Sequence, residues 1–193
     1  SAAPTGTVDV WTGDGGSTDF LNDFSEATNW SDGVPQAGDV IQFNSGGAWR
    51  IFLTSAPAIL GGIIVEPGAN IDLDLNGFDL AVNRDIVIGA EGGAADEAEL
   101  DVHNHRYDPS APDATLSATN VEVGYGTAGA LGISDYNHIA DGMALNVSGF
   151  FDVDVGGAFA GFSAQYVRVV TNHVRCSAGL EAASGGNFYS TSL

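Results

Sequence analysis

Short apolar stretches recur from Asp39 to the C-terminus, and several of them alternate strictly with polar residues. In residues 71–75 and 151–155, apolar side chains at every second position are separated by aspartates. Successive side chains of a β-strand point to opposite sides, so this pattern predicts strands with one apolar and one acidic face. The predicted strands are residues 40–43, 49–53, 62–65, 71–75, 79–82, 85–88, 99–103, 115–123, 130–134, 143–147, 151–155, 165–170 and 188–190.

The spacing of these strands predicts an all-β protein, and recurring asparagines indicate which kind. Leu75-Asn76-Gly77 is echoed by Asn120-Val121 and by Leu145-Asn146. An asparagine at a corner lets the backbone become left-handed while its side-chain amide bonds the next repeat. We therefore predict a Gly-rich β-solenoid resembling a right-handed parallel β-helix. A β-sandwich or jelly roll is the alternative fold.

The N-terminal region, residues 1–39, differs from the rest because it carries Trp11 and Trp30 together with Phe20 and Phe24. It is predicted to contain a short strand at residues 7–12 and one helical turn near residues 19–26. We expect the tryptophans to cover an open apolar end. The predicted parts are a Trp-bearing N-terminal cap or arm (1–39), a β-helix-like body (40–155) and a C-terminal interaction segment (156–193).

The charge of the chain restricts its partners. Acidic residues number 25 against five basic ones, and the net charge is −20. Phosphate recognition needs clustered Lys and Arg, so neither nucleic acid nor an anionic membrane is an expected partner. An Asp-rich surface suits a saline habitat, where salt screens its self-repulsion. Cation binding between chains is the alternative interpretation of the same charge.

Membrane spans and disulfides find no support in the chain. No apolar run approaches the roughly 18 residues that a transmembrane helix needs. Cys176 is the single cysteine and cannot form an internal disulfide. The first four residues lack a charged segment followed by an apolar core, which predicts no signal peptide. Either an initiator Met or a signal could have preceded Ser1.

From residue 29 onward the chain contains a series of short segments marked by tryptophan, glycine and asparagine. They are Asn29-Trp30, Val34-Pro35, Gly38-Asp39-Val40, Phe43, Trp49-Arg50-Ile51, Gly61-Gly62-Ile63, Leu75-Asn76-Gly77-Phe78-Asp79-Leu80 and Val121-Glu122-Val123-Gly124. With these segments, residues 29–150 resemble the β-helical passenger domains of bacterial autotransporters. The resemblance implies stacked rungs of a right-handed parallel β-helix after a tryptophan- and glycine-bearing entry. It implies no catalytic residue, and we expect no outer-membrane barrel of that family's kind after the rungs.

In overall type, a small, acidic, Gly-rich β-protein is similar to the decoration or cement proteins of tailed bacteriophages. Those proteins bind outside an assembled shell. This likeness implies a virion-surface location, and an extracellular or bacterial cell-surface location is the alternative.

The best candidate for a metal site is the stretch Asp101-Val102-His103-Asn104-His105. On a strand, His103 and His105 point to the same side, as two imidazoles sharing one transition metal must. A polar loop rim is the simpler interpretation. Asp14, between glycines, could offer oxygen ligands to calcium. No other cofactor is expected.

Paired carboxylates at Asp72/Asp74, Asp152/Asp154 and Asp96/Glu97/Glu99 raise the question of glycan cleavage. Such enzymes hold two carboxyl groups about 5–9.5 Å apart, and alternate residues of one strand are about 6.5–7 Å apart. Because an Asp-rich alternating strand produces such pairs without any catalytic purpose, we expect solvated outer faces and no enzyme.

The C-terminal segment brings two of the five arginines, Arg168 and Arg175, to an otherwise acidic chain. We predict that they dock a neighbouring subunit, with Phe188 and Tyr189 as aromatic anchors. Trp11 and Trp30 are further predicted partner contacts. Core closure is the alternative role for the C-terminal segment.

The predicted function is that of a non-enzymatic structural protein that decorates or cements a larger assembly, above all a bacteriophage capsid. We expect a homo-oligomer, with a trimer favoured, bound to a capsid-like shell. The first alternative is a secreted adhesin or glycan-binding β-helix that grips sugar with Tyr107, Tyr125 and Tyr136. The second alternative is a polysaccharide-cleaving enzyme.

Overall fold

The computed structural model describes a chain built from β-strands. The described residues are 6–13, 21–44, 46, 48–89, 97–104, 110–124, 129–135, 143–153, 157–162, 167–176, 180–181 and 187–190. Within them the only helical element is a single 3-10 turn, Ala27–Asn29. The protein is therefore all-β, as the alternating pattern predicts.

Seventeen strands make up the described structure. They are β1 (Val8–Val10), β2 (Leu21–Asp23), β3 (Val40–Phe43), β4 (Ala48–Phe52), β5 (Gly62–Val65), β6 (Asn70–Asp74), β7 (Leu80–Ala81), β8 (Asp85–Ile88), β9 (Ala98–Asn104), β10 (Ala114–Ala118), β11 (Asn120–Val123), β12 (Gly129–Asp135), β13 (Met143–Val153), β14 (Gly157–Phe162), β15 (Val167–Cys176), β16 (Leu180–Glu181) and β17 (Asn187–Ser190). The predicted strands 40–43, 62–65 and 85–88 are confirmed with their boundaries.

Three local predictions need correction. Residues 21–23 form strand β2, and the helical turn lies later, at Ala27–Asn29, where the Glu26 side chain accepts from Thr28 N. The single strand predicted at 115–123 is two strands, because Thr119 N turns aside to donate to Arg84 O at 2.8 Å. The strands predicted at 143–147 and 151–155 are joined in β13, whose pairing with β15 shifts register between Val147 and Phe150.

The strands form two sheets, and every pairing between named strands in the described part of the chain is parallel. One sheet follows the path β1-β3-β5-β8-β11-β13-β10-β7, with β15 beside β13 and β17 beside β15. The other follows β2-β4-β6-β9-β12-β14-β16. Strands β14 to β17 therefore extend the same two sheets into the predicted C-terminal segment, and an isolated antiparallel bridge joins Trp11 to Trp30.

The core consists of apolar rows that run across the strands. Ile41, Ile63, Ile86, Val121 and Phe151 occupy successive register positions on neighbouring strands, and all are buried. Burying each such side chain contributes about 1.5–3 kcal/mol. The alternation in sequence thus becomes a stack of like positions, because parallel neighbours are aligned residue for residue.

The N-terminal end of the core is aromatic. The rings of Trp11 and Trp30 meet edge to face at 4.8 Å between centroids, and Phe24 lies 5.0 Å from Trp30. Trp11 and Trp30 are each 4% exposed. The Trp30 indole donates from Nε1 to Phe24 O at 2.8 Å, so the ring is held in orientation as well as buried.

Asparagine side chains form one corner of the chain, as predicted for Asn76. Its φ is 48°, and its Nδ2 donates to Leu53 O at 3.0 Å. Gly77 N donates in turn to Asn104 Oδ1 at 2.9 Å. The corner that follows β6 is thus bonded to the chain at the end of β4 on one side and to the end of β9 on the other.

A second corner relies on a close approach of backbones. Asn120 bonds neighbours on both sides, through Nδ2 to Asp85 Oδ1 at 2.7 Å and from Phe150 N to Oδ1 at 3.1 Å. A Cβ on Gly149 would lie 2.2 Å from Asn120 Oδ1 and 2.8 Å from Thr119 O. Only glycine fits that position without displacing this contact. Asn146 is different, since it lies inside β13, whereas Asn120 is the first residue of β11.

Candidate functional site

Charged side chains gather on the outer face of β4, β6 and β9. The register aligns Arg50 with Asp72 and Asp72 with Asp101. Glu99 stands opposite Asn70 in the same way. We call this surface, defined by Arg50, Asn70, Asp72, Glu99, Asp101 and His103, the acidic face. Its carboxylates come from two strands, Asp72 from β6 and Glu99 and Asp101 from β9, so the spacing of residues in the sequence does not reveal the grouping.

His103 is the most enclosed ionisable group of the acidic face. Its Nε2 lies 3.0 Å from Asp72 Oδ1, and the two side chains are 6% and 16% exposed. Arg50 Nε is 3.9 Å from the other oxygen of Asp72, but the Arg50 side chain is 57% exposed. Asp72 therefore has a close, shielded partner in His103 and only a weak, solvated one in Arg50.

The pKa of Glu99 on this face is clearly perturbed. Partial burial raises the pKa of its carboxyl, and the neighbouring negative charge of Asp101 raises it further. Asn70 donates from Nδ2 to Glu99 Oε2. Glu97 and Asp72 add to the repulsion that favours protonation. The carboxylates of the acidic face thus lie close enough together to raise the pKa of Glu99.

The two carboxylates of the predicted pair Asp72/Asp74 are not both exposed to solvent. Asp74 is fully buried, and its Oδ1 accepts from Asn76 N at 2.9 Å, which fixes the corner. The expectation of a solvated outer face is wrong for Asp74. Alternation predicted its direction, but the corner that follows gives it a structural partner.

No grouping of three or more His, Cys, Asp and Glu side chains in the described residues is arranged to hold a metal ion. His103 belongs to this part of the chain, whereas His105 lies outside the described residues, as does Asp14. The predicted metal and calcium ligands therefore stay predictions.

Of the other predicted carboxylate groups, Asp152, Glu97 and Glu99 belong to the described residues. Asp152 aligns with Glu122 on β11 and with Arg175 on β15. Glu122 is buried, and Glu97 is exposed. Asp154 and Asp96 lie outside the described residues. So do Tyr107, Tyr125 and Tyr136, the three tyrosines of the glycan-binding alternative.

The predicted partner contacts fall in two places. Trp11 and Trp30 belong to the buried aromatic core. Arg168 stands opposite Ala144 and Asn187, and Phe188 and Tyr189 on β17 stand opposite Val169 and Val170. Arg168 on β15 is thus paired with β17, and Arg175 on β15 stands opposite Asp152 on β13. Contact of any of these residues with a partner, the two tryptophans included, remains a prediction.

Arg50 and the corner residue Asn104 were not singled out from the sequence. Arg50 follows Trp49 in a short strand, and nothing in its neighbours indicates that Asp72 stands opposite. Asn104 is buried and bridges Gly77 N to Pro112 O, the latter at 3.1 Å. Asparagine next to a strand end is the only signal that could have indicated it.

The fold and the acidic face define an all-β protein of mostly parallel strands with a charged outer surface. When the chain is compared with family models, with curated proteins and with solved structures, none of the three comparisons yields a match. No helix among the described residues is long and apolar enough to cross a membrane.

Proposed function

We propose that the body of the protein is a β-solenoid and that the protein is a non-enzymatic structural component on the surface of a larger assembly. The parallel registers support this proposal. Strands β3, β5, β8 and β11 pair in succession, as do β4, β6, β9 and β12. Sandwiches and jelly rolls are built from antiparallel strands, so parallel pairing favours the solenoid.

The aligned rows of the two sheets are the observation that carries the functional part. They make a long, regular surface on which side chains repeat at fixed intervals, as a protein that binds an ordered lattice needs. The acidic face engages its own groups, Asp72 with His103 and Glu99 with Asn70. That arrangement is typical of a stabilised surface.

A bacteriophage capsid is the assembly we propose, with this protein as a homo-oligomeric decoration or cement protein. The net charge of −20 disfavours the nucleic acid inside a shell as the partner and leaves the outer protein surface. Arg168 and the strand β17 beside it are the proposed contact, since they join a rare positive charge to two aromatics on adjoining strands.

Particle fractionation of native material tests the proposal. Immunogold labelling should decorate the outside of shells that co-sediment with the protein, and light scattering of released protein should give a trimer. The variant Arg168→Glu should reduce rebinding to stripped shells, while the matched variant Arg84→Glu, at an exposed corner, should rebind normally. A monomer that never sediments with particles, or equal rebinding of both variants, would contradict the proposal.

A further inference from the structure

Asn76 and Gly77, at the corner that follows β6, are the only Asn-Gly pair in the chain. Such a pair reacts with itself, because glycine has no side chain to hinder its backbone nitrogen. The Gly77 nitrogen loses its proton and bonds to Asn76 Cγ, while Nδ2 takes up a proton and leaves as ammonia. Water then opens the cyclic imide to aspartate or isoaspartate. In an unfolded chain this pair is therefore a site of spontaneous deamidation.

The folded corner engages the attacking nitrogen. Gly77 N donates to Asn104 Oδ1 at 2.9 Å. Asn104 is fully buried, and its own Nδ2 donates to Pro112 O at 3.1 Å, so the acceptor is held in a fixed orientation. Because the Gly77 nitrogen must give up the proton that it donates to Asn104, this hydrogen bond has to open before the attack.

The side chain under attack is held as well. Asn76 Nδ2, the leaving group, donates to Leu53 O at 3.0 Å. Asn76 Oδ1 is buried and accepts no hydrogen bond from the described residues. The attack places negative charge on Oδ1, and a buried charge without a donor is costly. The closed corner therefore disfavours the reaction at the nitrogen, at the leaving group and at the oxygen.

We propose that Asn76 is a self-modification site that Asn104 keeps closed, so that deamidation follows opening of the bond between Gly77 and Asn104. The product cannot restore the corner. A carboxylate at position 76 lacks the donor to Leu53 O and adds charge two residues after Asp74, which is buried. Isoaspartate also lengthens the backbone by one methylene. This inference goes beyond the proposed structural function and is independent of it, because the reaction needs only water.

Peptide mapping by mass spectrometry tests the proposal. The full chain is incubated at mildly alkaline pH, folded and in urea, and conversion of Asn76 to the acid is followed with time. We expect the folded protein to react about tenfold more slowly than the unfolded chain, or more slowly still. Asn104→Ala removes the acceptor of the Gly77 proton and should speed the reaction of the folded protein at least about fivefold.

Asn120→Ala is the matched control. It removes a corner asparagine that also bonds neighbours on both sides, Asp85 and Phe150, but it leaves the Gly77 bond intact. Asn76 of this variant should react at the rate of the parent protein, since general loss of stability is not the cause. Equal acceleration by the two variants, or equal rates in the folded and unfolded parent protein, would overturn the proposal.

Hydrogen exchange of the Gly77 amide in the parent protein needs no variant, and it decides the matter if Asn104→Ala does not fold. The amide should exchange slowly, and small additions of urea should speed its exchange and the deamidation of Asn76 in parallel. A Gly77 amide that exchanges as fast as in the unfolded chain would overturn the proposal.

Discussion

Among the described residues, β1 and β2 at the N-terminal edge pair with a strand on one side, while β5 and β6 in the body pair on both. The edge is completed by other means. Ser31 N donates to Val10 O at 2.9 Å, Asn29 Nδ2 donates to Asp23 O at 2.9 Å, and Trp30 Nε1 donates to Phe24 O. The segment from Glu26 to Asp32 thus supplies donors where a further strand would have been.

The body is stabilised differently, by repetition. Strands such as β5 and β6 are bonded to two parallel neighbours, and their inward side chains continue apolar rows. An edge strand presents unpaired backbone groups that invite association with other chains. At the edge, a few specific side chains substitute for a whole strand. Single substitutions there should therefore lower the free energy of unfolding more than substitutions at corners of the body.

The largest effect is expected from Trp30→Ala at the edge. Removal of this buried ring opens a cavity beside Trp11 and Phe24 and leaves Phe24 O without its donor, which should lower the free energy of unfolding by about 3–5 kcal/mol. Urea unfolding followed by circular dichroism measures it. Trp30→Phe keeps most of the ring and should cost clearly less. Equal losses for the two variants would show that the donor, and not the packing, dominates.

A smaller effect is expected at the asparagine corner of the body. Asn76→Gly keeps the left-handed backbone but loses the amide bond to Leu53 O, at a cost of about 1 kcal/mol. Asn76→Ala adds backbone strain and should cost about 2 kcal/mol in total. Chemical denaturation of both variants separates the two contributions. If Asn76→Gly were as stable as the parent, the corner amide would not stabilise neighbouring strands.

The smallest effect concerns the acidic face. The pKa of Glu99 is higher in the folded protein than in the unfolded chain. Between these two pKa values, the native protein holds a proton that the unfolded chain has released. The free energy of unfolding therefore falls as pH rises through the Glu99 titration. Glu99→Gln should remove this fall and raise the melting temperature slightly at neutral pH.

Melting curves between about pH 4 and about pH 8 measure this pH dependence. The matched variant Glu66→Gln, a half-buried glutamate that follows β5, should keep the pH dependence of the parent. Identical curves for the parent protein and Glu99→Gln would mean that crowding on the acidic face does not affect stability.

The sequence by itself determined the strands, the direction of most side chains and the asparagine corner. Period-2 alternation, as in Ile71, Leu73 and Leu75, is a local property, and Asn76-Gly77 has few other backbone choices. It also determined the charge, and with it the expectation of no nucleic-acid partner. Trp11 and Trp30 were noticed because tryptophan is rare in this chain, which has three.

Only the tertiary structure decided which residues meet across strands. Arg50, Asp72 and Asp101 form one row across three strands, and Ser117 lies beside Asn146 on a neighbouring strand. These residues meet because parallel strands some 20–30 residues apart in sequence pair in one particular register. Register depends on the packing of entire apolar rows and on loop lengths, which no local pattern encodes. The same long-range pairing buried Asp74, which stands between Phe52 and His103 on the neighbouring strands.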